Sequence, residues 1–119
     1  KNIDLLSGDF HSDDIGKGYD LVFISQIFHS MSECESLALL EKTRNALNPN
    51  GKITIHEFYL EKDRAHPAAG ALFSINMLVN TAAGRSYTTD EMKVWLRRSG
   101  FSGVKIKILG DTVVLTARR

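Results

Sequence analysis

The chain has 119 residues, 43% hydrophobic and 24% charged, which suits one globular domain and leaves no room for two. Its formal net charge of +1 gives no electrostatic case for nucleic acid or an anionic membrane, and Arg97–Arg98 and Arg118–Arg119 are isolated solvated pairs. The lone Cys34 allows no disulfide, no Cys/His spacing suggests a metal, and no run reaches the ~18 apolar residues of a membrane span, so a reducing cytoplasm is the expected setting.

The chain starts Lys1-Asn2, without an initiator Met, and reads as a piece of something longer. Asn2–Ser7 is a strand-like apolar run that ends in a turn at Gly8–Asp9–Phe10, and the polar stretch His11–Gly18 serves as a connection. Leu21–Val22–Phe23–Ile24 follows. Pattern alone does not separate such a run from a short buried helix. The Gly16–Lys17–Gly18 turn before it and the capped helix after it favour a strand buried on both faces. His29 leaves its carboxyl end, where ligands of open α/β sheets sit. On position alone it reads either as a structural residue or as a working titratable group.

Ser32 and Glu35 form an S-x-x-E capping box for a helix to about Leu47, with Leu39, Leu40, Thr43, Ala46 and Leu47 on one face. Asn48–Pro49–Asn50–Gly51 stops it and turns the chain. Lys52–Tyr59 is a second strand, with Ile53, Ile55 and Glu57 sharing one side and His56 packing on the other. Past a charged loop, Pro67 opens a mostly apolar helix over Ala68–Ala83, which Gly84–Arg85–Ser86–Tyr87 breaks. Thr88 and Glu91 make a second capping box, Met92, Trp95 and Leu96 form a buried stripe, and Gly100 ends that helix. Val104, Ile106 and Ile108 alternate with Lys105 and Lys107, as on an edge strand, and Gly110–Asp111 turns into its antiparallel partner Thr112–Ala117. Alternating strands and helices imply an α/β fold: a mostly parallel sheet with helices on both faces, closed by an antiparallel hairpin.

Gly8–Asp9–Phe10, the DLVF strand leading to Phe28–His29, the NPNGKITIHE segment and GRSYT before the closing helix together carry a resemblance. The chain resembles the C-terminal half of a class I S-adenosylmethionine-dependent methyltransferase, in the small-molecule O-methyltransferase family. That implies a partial Rossmann-like methyltransferase sheet over residues 1–119. It also implies S-adenosylmethionine as cofactor and a small-molecule hydroxyl as acceptor, with no nucleic acid, membrane or metal partner. Residue by residue, it implies His29 as general base, Glu57 as the acid that holds it, Asp9, Phe10 and Ser25 at the cofactor, and Phe73, Asn76, Met77 and Asn80 along the acceptor pocket. The family's His-Asp-Trp is here His29–Ser30–Met31, and a second glutamate is replaced by Ser86. The glycine-rich cofactor loop and the ribose-binding acid are absent from these residues, so weak or no cofactor binding is expected of this chain alone.

In the family sheet Asn2–Ser7 would be separated from Leu21–Ile24 by two strands that this chain lacks. The expectation here is that it moves in beside Leu21–Ile24 as a parallel neighbour, with a homodimer covering the remaining apolar surface. Two other readings stay open on the residues. One is a non-catalytic methyltransferase-like interaction module, and the other is a different Rossmann-type nucleotide-binding enzyme. GRSYT and the terminal hairpin argue against the second.

Overall fold

A computed structural model describes residues 2–119; Lys1, included in the domain expected over 1–119, lies outside them. Its centre is β2 (Leu47–Phe58), whose alternation sends Ile53, Ile55 and Glu57 to one side, 0%, 1% and 4% exposed. β1 (Tyr19–Ser25) pairs with β2 in parallel, setting Val22 beside Ile53 and Ile24 beside Ile55. On the other flank β4 (Thr112–Arg118) runs antiparallel, with Leu115 opposite Ile55 and Val113 opposite Glu57. β3 (Ser102–Leu109) closes the hairpin at the edge, so the order is β1-β2-β4-β3.

Two helices cover the face that carries Ile53, Ile55 and Leu115. Leu39 and Leu40 come from α1 (Glu33–Ala46), and Met92, Trp95 and Leu96 from α3 (Thr89–Arg98). Burying each such side chain contributes on the order of 1.5–3 kcal/mol. Both helices start where the sequence signals. Ser32 with Glu35, and Thr88 with Glu91, form complete reciprocal capping boxes that satisfy backbone N–H groups helices otherwise leave open. Gly100, at φ +85, ends α3 in the left-handed region. The opposite face of the sheet presents Thr54, His56, Val114 and Thr116, all half-buried. α2 (Ala68–Asn80) lies beyond the carboxyl ends of β1 and β2, against the short turn of 3-10 helix at Phe28–Ser30.

The structure departs from four expectations. Asn2–Ser7 forms no strand and does not pair with β1; Ile3, Leu5 and Leu6 are 79%, 93% and 81% exposed. A parallel partner needs a crossover that packs back over the sheet, and the connection from Gly8 to Gly18 contains a turn but no helix to make one. β1 is not buried on both faces. Among the described residues no helix lies over that side and no strand beyond it, so Leu21 and Phe23 stay 56% and 62% exposed. Asn48–Gly51 does not separate helix from strand: β2 begins at Leu47, directly after α1, and the irregularity is absorbed by Asn50 at φ 64 and a register shift between Tyr19 and Leu21. Finally, α2 ends at Asn80 rather than Ala83, where the Thr81 hydroxyl and N–H both turn back to the Met77 carbonyl. Among the described residues no helix is long and apolar enough to cross a membrane.

Candidate active site

β1 ends at Ser25, and Gln26, at φ 57, turns the chain so that Phe28–His29–Ser30 curl over the end of β2. Glu57 reaches that end from below. Its place in the β2 alternation points it into the core, where a carboxylate is costly unless both oxygens find partners. They do. Oε1 accepts the backbone N–H of Phe28 at 2.8 Å, and Oε2 lies 2.9 Å from Nδ1 of His29. A carboxylate can only accept, so the contact selects the tautomer with the proton on Nδ1 and leaves the lone pair of the neutral ring on Nε2.

Aromatic rings complete the setting. Phe73 of α2 meets the His29 ring edge-on at 4.9 Å, and Phe58 packs against Phe73 at 4.0 Å, tilted by 36°. Gly84 packs directly on the His29 carbonyl and the Ser30 Cα, so closely that any side chain there would collide with backbone. Tyr87 donates its buried hydroxyl to the Met31 carbonyl at 2.6 Å. Ser86 is buried beside them but faces α2: its hydroxyl donates to Gly70 O at 3.2 Å, and its N–H to the Ser74 hydroxyl at 3.1 Å.

The sequence-predicted residues fall into three groups. His29, Glu57 and Phe73 come together. Phe10 and Ser25 share a second place, an apolar groove of about 590 Å³ along β1 that Tyr19, Val22 and Ile27 also line. Asp9 sits behind it in a turn, where its carboxylate accepts the His11 N–H and its own N–H donates to Asp13. On α2, Asn76 and Asn80 are exposed and bond to each other at 2.6 Å, while Met77 is half-buried.

Sequence reasoning missed Phe58 and the role of Gly84. Strand alternation places Phe58 off the Glu57 side, yet at the strand's last residue its ring still reaches Phe73. His56, read as a packing residue, instead places Nδ1 2.9 Å from the Ser25 hydroxyl.

A family profile for the O-methyltransferase domain matches residues 1–102, and the chain belongs to that family. Among curated proteins, a 3-hydroxy-5-methyl-1-naphthoate 3-O-methyltransferase from Streptomyces sahachiroi is 38% identical over 103 residues, covering 87% of this chain and 30% of that protein. The tetracenomycin polyketide synthesis 8-O-methyl transferase of Streptomyces glaucescens is 32% identical over 98 residues, covering 82% of this chain and 29% of that one. The crystal structure of human N-acetylserotonin methyltransferase, in complex with S-adenosylmethionine, superposes with a TM-score of 0.88 at 30% identity, covering 96% of this chain and 33% of that one. The chain thus spans about 30% of the length of the curated relatives it matches.

Proposed function

We propose that this chain is the C-terminal portion of an S-adenosylmethionine-dependent O-methyltransferase that methylates a hydroxyl of a small molecule, with His29 as general base. The observation that carries the reading is the 2.9 Å contact between His29 Nδ1 and Glu57 Oε2. It holds the imidazole with Nε2 ready to accept a proton, and the carboxylate stabilises the imidazolium once that proton arrives. Phe73 and Phe58 restrict the ring and keep water from its flank. Their apolar faces also favour a flat acceptor.

The groove runs along the unpaired edge of β1, where the resemblance places strands that these residues lack, so two of its residues rather than its volume are read as facing the cofactor. The Phe10 ring suits the adenine, and Ser25, with its hydroxyl on His56, offers a polar group at the end of β1. Among the described residues no carboxylate lines the groove to receive ribose hydroxyls, so these residues would hold only one end of the molecule. When bound, S-adenosylmethionine supplies a methyl already activated by a sulfonium, which leaves as a neutral thioether carrying the electron pair of the broken S–C bond. The task left to the protein is to align the acceptor oxygen, exclude water and take the hydroxyl proton.

Homodimerisation belongs to the same reading. The exposed Leu72, Ile75, Leu78 and Val79 of α2 form an apolar surface that a second copy, like the rest of the full-length protein, would cover.

The test is methyl transfer from labelled S-adenosylmethionine by the full-length protein to a panel of phenolic, alcoholic, amine and carbon acceptors. Label on phenolic or alcoholic oxygen supports the proposal. Label confined to nitrogen or carbon, or no transfer to any acceptor, overturns it.

A further inference from the structure

The turn that carries Phe10 is braced from within. Asp13 Oδ2 accepts the Asp9 N–H at 2.8 Å, Asp9 Oδ1 accepts the His11 N–H at 2.9 Å, and the N–H groups of Ser12 and Asp13 both donate to Asp9 O. The hydrogen bonds that tie this turn to the body of the molecule come from a single side chain. Lys42, from the third turn of α1, donates its ammonium to the carbonyls of Phe10 at 2.8 Å, His11 at 3.2 Å and Asp13 at 2.8 Å. An ammonium has three N–H donors, and each finds a different carbonyl. Among the described residues, every hydrogen bond from the Gly8–Asp13 turn to the rest of the protein comes from Lys42.

The Phe10 side chain itself is held by packing alone. The residue is 38% exposed, and its ring stacks on His11, a member of the same turn, at 4.5 Å. It stands between the groove along β1 and a smaller hollow of about 190 Å³, which Lys42, Glu35 and Met31 also line. Where the ring lies therefore depends on where the turn's backbone lies. Charge-assisted bonds are the strong, short class able to fix an otherwise exposed segment.

We propose that Lys42 is a positioning residue for the cofactor: by gripping three carbonyls of the Gly8–Asp13 turn it holds Phe10 at the mouth of the groove, so it sets cofactor affinity while taking no part in methyl transfer. This rests on the reading of Phe10 as a cofactor contact. It assigns a role to α1, which otherwise only packs the core.

The experiment compares wild type, Lys42→Met, Lys42→Arg and Phe10→Ala in the full-length enzyme. It reads KM for S-adenosylmethionine, kcat, and hydrogen exchange at the amides of His11, Ser12 and Asp13. Lys42→Met keeps the aliphatic stem and removes the donors. The expected result is faster exchange at the three amides and a KM raised roughly 10-fold, with kcat within about twofold of wild type. Lys42→Arg, which keeps the charge and the donors, should recover much of both effects. Unchanged exchange in Lys42→Met overturns the proposal, as does a fall in kcat at constant KM. Faster exchange with an unchanged KM also overturns it if Phe10→Ala does raise KM, because the turn then matters to the cofactor but Lys42 does not. If neither variant moves KM, the cofactor reading of Phe10 fails instead, and the role proposed for Lys42 falls with it.

Discussion

Glu57 divides its carboxylate between the backbone of Phe28 at 2.8 Å and the ring of His29 at 2.9 Å, so one buried side chain fixes both where the 3-10 turn sits and which nitrogen of the imidazole carries the proton. An amide cannot do both. In Glu57→Gln one oxygen can satisfy one N–H, and the NH2 then faces the other donor or forces the ring into the wrong tautomer. The expected loss is roughly 10²–10³ in kcat with the cofactor KM little changed. Steady-state kinetics of the full-length enzyme check this. Near-normal turnover would show that the carboxylate is only a brace for Phe28.

Removing the base itself is the sharper chemical test. His29→Ala should lower turnover by ~10²–10⁴ while calorimetric affinity for S-adenosylmethionine stays within a few-fold, because the ring touches Phe73 and Glu57 and does not line the groove along β1. Full activity in that variant would take His29 out of the mechanism.

Much of this site was legible because the signals are local. The two capping boxes, the Gly100 stop and the hairpin turn at Gly110–Asp111 each depend on residues within a few positions of one another. Strand ends and alternation locate His29 and Glu57 in the sheet, while their roles as base and holding acid are what the family resemblance implies. The failures are non-local. Whether Leu21 and Phe23 are buried depends on what lies beside β1, which their own sequence does not encode. Asn2–Ser7 has a strand's composition but no ladder to join. The grip of Lys42 on three carbonyls about thirty residues away leaves no periodic trace at all.

The groove along β1 predicts weak cofactor binding by these 119 residues taken alone. It offers an aromatic edge at Phe10 and a hydroxyl at Ser25, but neither a glycine-rich loop for close backbone approach nor an acid for the ribose. No saturable S-adenosylmethionine binding should be seen below roughly millimolar concentration, about 4 kcal/mol weaker than a micromolar site. Isothermal titration decides it. A clean micromolar isotherm would mean that the principal cofactor contacts lie within this chain.

A different carboxylate governs acid stability. Glu91, in the first turn of α3, closes its capping box through the Thr88 N–H at 2.7 Å and takes Arg64 and Arg85 on its other oxygen at 2.7 and 2.9 Å. Partial burial pushes its pKa up. The bonds from Arg85, Thr88 and Arg64 outweigh that and hold it at about 2, against an ordinary 4.5. A folded pKa below the unfolded one means that the folded state favours the charged form, so the stabilisation is fully present above pH 4.5 and drains away as pH falls toward 2. The shift corresponds to roughly 3 kcal/mol at neutral pH before solvent screening of the partly open pair, and to about 2 kcal/mol after it. Glu91→Gln should therefore be less stable than wild type by about 2 kcal/mol at pH 7. The gap should narrow steadily below pH 4.5 and nearly close by about pH 2. Urea unfolding of both proteins at several pH values reads that gap directly. A gap that stays constant down to pH 2 would place the contribution of Glu91 in helix capping geometry rather than in its charge.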